Sequence, residues 1–203
     1  MKLVIIKYNA GNIQSVLYAL ERIGATASVT DDPFEIGAAD KVIFPGVGEA
    51  STAMDYLRER RLDELIRGLR QPVLGICLGM QLMCSYSEEN ETECLGIFGE
   101  KVKRFAPVGE GPTAGGALLK VPQIGWNNIY GLRTPLFDGV TEGSYCYFVH
   151  GYYAALGDHT IARTDYVQAY SSGLHLGNFY GVQFHPEKSA QVGERILTNF
   201  LAL

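Results

Sequence analysis

The sequence predicts an α/β protein with a central, mostly parallel sheet and additional antiparallel strands in its C-terminal half. Three observations carry this expectation. In the first half, short apolar runs alternate with stretches whose apolar residues recur at helical spacing. In the second half, strand-like stretches follow one another through turns rich in Gly, Pro and Asp. The 203 residues are 47% hydrophobic and 19% charged, ample for a buried core in one domain spanning 1–203. Parallel neighbours need right-handed crossovers, which put helices on both faces of the sheet.

Taken in order, Leu3 to Ile6 reads as the first strand, and Ile13, Val16, Leu17 and Leu20 line one face of a helix. Asn12 is placed to cap that helix and Gly24 to end it. Ala27 to Val29 and Lys41 to Phe44 are the next strands. Met54 and Leu57 belong to a helix that Leu62, Leu65, Ile66 and Leu69 continue until Gln71-Pro72 stops it. Val73 to Ile76 is a short buried strand, followed by a helical stretch over Met80, Leu82, Met83 and Tyr86. Strands are then expected over Lys101 to Phe105, Tyr145 to Val149, Thr160 to Thr164, Val167 to Ser171 and Phe179 to Phe184. A helix on Val192, Ile196, Leu197 and Phe200 closes the chain.

The charge balance excludes some functions. A net charge of −5 offers no basic stripe to neutralise phosphates, which argues against a nucleic-acid binder. The apolar run before Lys7 is too short for a signal-peptide core or a membrane span, so a cytoplasmic location is expected. The cysteines, Cys77, Cys84, Cys94 and Cys146, form no CxxC and have no paired histidine spacing. Neither a metal site nor a cofactor is expected.

Two widely separated segments carry chemistry. Gly75-Ile76-Cys77-Leu78-Gly79 has the form of a nucleophile elbow, preceded by an apolar strand and followed by a helical stretch. Such a turn holds Cys77 at a helix N-terminus, where the dipole favours a thiolate. A free thiol, with a pKa of about 8.5, is only slightly ionised at neutral pH and needs a base. His185 ends a strand, Pro186 restricts its backbone, and Glu187 can accept the other ring N–H and fix the tautomer. A third piece, Pro45 to Gly48, follows the strand Lys41 to Phe44. It is either an oxyanion cradle of backbone N–H groups or a plain strand-to-helix turn.

GICLGMQ and GVQFHPEKS are hallmark segments of the class I glutamine amidotransferases, and this chain resembles that family along its whole length. The resemblance runs through AGNIQSV (Ala10 to Val16), PGVGEASTAM (Pro45 to Met54), GWN (Gly125 to Asn127) and YFVHGY (Tyr147 to Tyr152). It implies a three-layer α/β/α fold. PGVG discriminates among members, because relatives serving chorismate or purine pathways usually carry PGP-like or GGP-like loops and the pyridoxal phosphate glutaminase usually carries PGGES. The branch with PGVG comprises glutaminase subunits of histidine biosynthesis.

The resemblance implies that Cys77 attacks the glutamine carboxamide, forming a glutamyl thioester and releasing ammonia. His185 acts as base and then acid, and Glu187 orients it. Gly48 and the N–H of Leu78 form the oxyanion hole, Gly46 and Gln81 help hold the substrate, and backbone around His150 and Gly151 receives its amino-acid end. The implied partner is a (β/α)₈ cyclase subunit, joined in a heterodimer, which uses the ammonia to make imidazole glycerol phosphate and AICAR. Trp126, Tyr145, Tyr147 and Lys188 are the partner-facing candidates, with core packing or a solvated lysine as the other reading. Three positions depart from the family pattern: Lys7 where an acidic residue is frequent, Gln123 where histidine is frequent, and Gly151 where Ser or Thr is common. Two alternatives stand beside this reading: a glutaminase of the aminodeoxychorismate or anthranilate type, and a non-catalytic regulatory subunit.

Overall fold

The computed structural model describes residues 1–9, 12–106 and 119–203. Ala10 and Gly11, which open the AGNIQSV segment, lie outside the described residues. The elements in chain order are β1 (Leu3–Ile6), α1 (Ile13–Arg22), β2 (Ser28–Thr30), α2 (Pro33–Gly37), β3 (Lys41–Phe44), α3 (Ala50–Glu59), α4 (Leu62–Gly68), β4 (Val73–Ile76) and α5 (Leu78–Met83). There follow β5 (Tyr86–Ser87), β6 (Thr92–Glu93), β7 (Lys101–Arg104), β8 (Gln123–Asn128), β9 (Tyr145–His150) and β10 (Tyr152–Ala154). The chain ends with β11 (Thr160–Asp165), β12 (Ala169–Leu176), β13 (Phe179–Val182) and α6 (Ala190–Ala202).

The main sheet runs β2-β1-β3-β4-β13-β12-β10-β7-β5-β6, with β11 also paired to β12. Its first five strands are all parallel, and from β13 to β12 the pairing turns antiparallel. Alternate residues of the parallel strands feed two cores. Val4, Ile6, Val42, Phe44 and Val73 pack with α3, α4 and α5, while Leu3, Ile5, Ile43, Leu74 and Ile76 pack with α1 and α6. Burial on both faces is why these strands are continuous apolar runs rather than alternating ones. The result is the three-layer α/β/α arrangement with antiparallel strands added in the C-terminal half. No described helix is long and apolar enough to cross a membrane.

Several local expectations change. The single helical run from Met54 to Leu69 is two helices, broken where Arg61 adopts a left-handed conformation (φ 55°, ψ 23°). Leu57 and Leu62 are five residues apart, out of phase on one helix, and the break turns both inward to full burial. The helix after the elbow stops at Met83, and Tyr86 starts β5 instead. Asn12 occupies the cap position of α1 but makes no side-chain cap bond. Helix α2, capped by the Asp32 carboxylate accepting from the Phe34 N–H, has too few apolar positions to show a period. The strand Tyr145 to Val149 pairs with β8 in a separate two-stranded sheet.

Candidate active site

Parallel strands β4 and β13 are neighbours with Ile76 opposite Val182, so Cys77 and Gln183 emerge side by side at their carboxyl ends, with His185 two residues further on. This is where reactive groups gather in open α/β sheets. Cys77 has φ 52° and ψ −109°, the strained turn expected of an elbow. Close packing makes both elbow glycines obligatory. A side chain at Gly79 would strike the Phe44 carbonyl, and one at Gly75 would meet Met83 and the Met80 amide.

Around the nucleophile candidate the three predicted residues meet. The His185 imidazole lines the same cavity as Cys77, whose thiol donates to the Val149 carbonyl at 3.8 Å, and its Nδ1 lies 2.8 Å from Glu187 Oε1. Nδ1 must carry a proton to bond a carboxylate, which leaves Nε2 for the sulfur. Burial alone would lower the His185 pKa, but the bonds and charges of Cys77 and Glu187 prevail and raise it to about 10. The imidazole is thus suited to hold a second proton beside the Cys77 sulfur. His185 is held by its N–H to the Tyr147 carbonyl (2.9 Å) and by Ser189, whose hydroxyl donates to the His185 carbonyl (2.7 Å). Asn12, read from sequence as a helix cap, instead donates from Nδ2 to Glu187 Oε1 at 3.2 Å, and its own Oδ1 accepts from Ser15. Nothing in the sequence pattern distinguishes that use from capping.

Cys77 and His185 line a cavity of about 220 Å³ together with Val47, Gly48, Gln81, Glu89, Val149 and Gly151. Gly48, at φ 116°, forms its rim. Gly46 is not at the surface of the cavity but beneath it, against Tyr8 and Leu78, with Tyr8 Oη donating to the Pro45 carbonyl at 2.6 Å. The Leu78 N–H, expected at an oxyanion hole, is taken up by the Gly46 carbonyl at 3.3 Å. Gln81 is buried, with Nε2 donating to the Tyr152 carbonyl and to Gln183 Oε1, both at 2.9 Å. Glu89, unnoticed in the sequence because it sits in an acidic loop, is the one carboxylate among the lining residues. Its pKa is raised by burial, against the Ala50 N–H that Oε2 accepts at 2.8 Å.

His150 sits deeper. Burial lowers its pKa to about 4, so it is neutral near pH 7. Its Nδ1 is 2.7 Å from the Tyr152 carbonyl, which can only accept, so the proton is on Nδ1. Nε2 lies 3.2 Å from the Tyr170 hydroxyl. That hydroxyl donates to Gln123 Oε1 at 2.9 Å. Gln123 therefore supports His150 through Tyr170. Gly151 has room for a larger residue, since a Cβ there would touch only Pro122 at 3.7 Å. Lys7 is exposed at the end of β1.

The remaining candidates share one surface. Trp126 is 53% exposed and Tyr145 58% exposed, so neither is core, and Tyr147 meets Trp126 edge to face at 5.8 Å. Lys188 Nζ stands 5.9 Å above the Tyr147 ring. Cross-strand register adds Ile124 and Val149 to the same face of the β8–β9 ribbon. Among the described residues no group of three or more His, Cys, Asp or Glu is arranged to hold a metal ion.

Fold and site together define a class: the family model for class I glutamine amidotransferases matches residues 4–203, and the chain belongs to that family. Within it, the chain is 56% identical to a Bacteroides fragilis protein named imidazole glycerol phosphate synthase subunit HisH, covering all of both chains. A Shewanella loihica protein of the same name is 44% identical, over 98% of this chain and 90% of its own. Among solved structures, a glutamine amidotransferase superposes with a TM-score of 0.71 at 18% identity, covering 98% of this chain and 97% of its own. One from Thermotoga maritima gives 0.60 at 19% identity, covering 100% of this chain and 83% of its own. These two likenesses concern the fold alone.

Proposed function

We propose that the whole chain is one glutaminase domain that supplies ammonia to a cyclase subunit making imidazole glycerol phosphate and AICAR in histidine biosynthesis. The observation that carries the chemistry is that Cys77 and His185 line one cavity while Glu187 holds the far nitrogen of the imidazole at 2.8 Å. The full-length likeness to proteins named as subunits of imidazole glycerol phosphate synthase supports the pathway.

In this reading glutamine enters with its carboxamide at Cys77. Glu89 is suited to its α-ammonium, while Lys188 and the backbone at Gly151 are suited to its α-carboxylate. The thiolate attacks the carboxamide carbon, the imidazolium protonates the departing nitrogen, and ammonia leaves a glutamyl thioester. His185 then takes a proton from water, whose oxygen attacks the thioester. The carbon–sulfur bond breaks, glutamate departs and the proton returns to the Cys77–His185 pair. Glu187 keeps the imidazole in the tautomer both steps need. Gly48 and Leu78 are the oxyanion donors, and for Leu78 to act its bond to the Gly46 carbonyl must be given up. A shift of the Val47–Gly48 rim on substrate or partner binding would free it.

Ammonia released into water becomes ammonium, which has no lone pair for attack, so delivery requires a partner docked over the cavity. The apolar face of Ile124, Trp126, Tyr145, Tyr147 and Val149, with Lys188 beside it, borders the cavity and suits a (β/α)₈ cyclase in a heterodimer. The test is glutamate release by the chain with and without its cyclase. Activity that depends on Cys77 and rises with the cyclase is expected; a Cys77→Ser variant that stays active in the complex would refute the nucleophile. Capture of a chorismate-binding partner in place of a barrel cyclase would move the chain to the aminodeoxychorismate or anthranilate reading. Absent turnover in the assembled complex would leave a regulatory subunit.

A further inference from the structure

We propose that Gln183 is a catalytic residue of this site, its side-chain amide aiming an N–H at the Cys77 sulfur to stabilise the negative charge that sulfur carries. The inference rests on Cys77 being the nucleophile. Gln183 follows β13 directly and is fully buried, so its amide must find its partners inside the protein. Its orientation follows from its neighbour. The Tyr152 carbonyl can only accept, which turns the NH₂ of Gln81 toward it, and the second proton of that NH₂ goes to Gln183 Oε1. With its oxygen so engaged, Gln183 presents Nε2 to Cys77 Sγ at 3.6 Å. The reverse orientation would set NH₂ against NH₂ and a carbonyl oxygen against the sulfur. The hydrogen-bond network therefore admits one arrangement, the one that places a donor on the reacting atom.

The backbone holds this donor in place. The Gln183 N–H bonds the Ser172 carbonyl of β12 at 3.0 Å, and the Cys77 N–H bonds the Val182 carbonyl at 2.8 Å, so Cys77 is tied to the strand that carries Gln183 and Gln183 to the strand beyond it. The donor complements His185 because it does not titrate. Once the imidazolium has given its proton to ammonia, His185 is neutral until it takes one from the attacking water, after which the thioester breaks with its electron pair returning to sulfur. Gln183 offers the same N–H at both stages, in a site dry enough for a charge-assisted bond to count. The titratable groups facing the sulfur are His185, Tyr8 beneath it and, around the cavity, His150, Glu89 and Lys188.

Two variants of the full chain test this. Gln183→Met removes the donor at similar length, and Gln183→Glu keeps an acceptor for Gln81 while replacing the N–H with oxygen. Iodoacetamide labelling of Cys77, followed by peptide mass across a pH series, reads the sulfur directly. The expectation is about a tenfold slower labelling near neutral pH for the Met variant, equivalent to a midpoint about one pH unit higher, and a larger shift in the same direction for Glu. Glutaminase kcat should fall with KM little changed. Circular dichroism identifies the folded variants, and either one suffices. A folded variant whose labelling curve overlies that of the wild type would overturn the proposal, leaving Gln183 a packing residue. Retained turnover in Cys77→Ser would instead remove the reading on which it rests.

Discussion

At the scale of single residues, the two buried histidines have opposite tasks. Glu187→Gln removes the charge that supports the His185 imidazolium and is expected to lower glutaminase kcat/KM by about 10²–10⁴-fold, measured as glutamate release. His185, held up to about 10 against an unfolded value near 6.5, contributes stability that is complete below pH 6.5 and lost as pH rises through about 10. His150, pushed down to about 4, behaves in the other sense. Its penalty is absent above pH 6.5 and grows as pH falls toward 4, because only the unfolded chain binds its proton in that window. His150→Asn, which keeps a donor for the Tyr152 carbonyl, should flatten the loss of unfolding free energy between pH 6.5 and 4. Urea titrations across that range measure it. The proposed catalytic types were legible from sequence, because a cysteine between spaced glycines and a His-Pro-Glu after a strand have few other uses. Asn12, Glu89 and Gln183 were not legible as site residues, since a helix cap, a solvated acidic loop and a strand residue look the same in one dimension.

At the scale of elements, close approach decides more than propensity. Gly79 lies against the Phe44 carbonyl, so Gly79→Ala pushes α5 off β3 and should destabilise the chain by about 1–3 kcal/mol or more in chemical denaturation, with loss of the elbow geometry. The break between α3 and α4 has the reverse character. Arg61 is exposed in a left-handed conformation that glycine adopts without strain, and Arg61→Gly is expected to stabilise by up to about 1 kcal/mol. The strands of the parallel half were readable because burial on two faces leaves an apolar run bounded by turns. The helix break was hidden because apolar spacing alone does not reveal a change of phase, and β8 was hidden because its exposed face carries Ile124 and Trp126 where a polar alternation would be looked for.

At the scale of the whole molecule, the exposed apolar ribbon and the cavity share one side. Trp126→Ala is expected to leave the thermal midpoint of the isolated chain nearly unchanged, because the ring is half exposed, yet to weaken cyclase binding by about 2 kcal/mol or more in a titration. Equal losses in both measurements would assign the tryptophan to internal packing instead. By itself the sequence determined the α/β alternation, the elbow-like turn at Cys77, the histidine and carboxylate proposed to serve it, and the family. Each of these is written in contiguous residues whose periodicity or backbone demands are local. Only the tertiary structure decided that β13 enters the sheet beside β4, which sets Gln183 and His185 around Cys77, and that Asn12 reaches Glu187 from α1. It also decided that the Leu78 N–H is occupied by the Gly46 carbonyl. Those relations depend on strand order and register, and a side chain's partner across a sheet is fixed by the packing of the whole chain rather than by its neighbours in sequence.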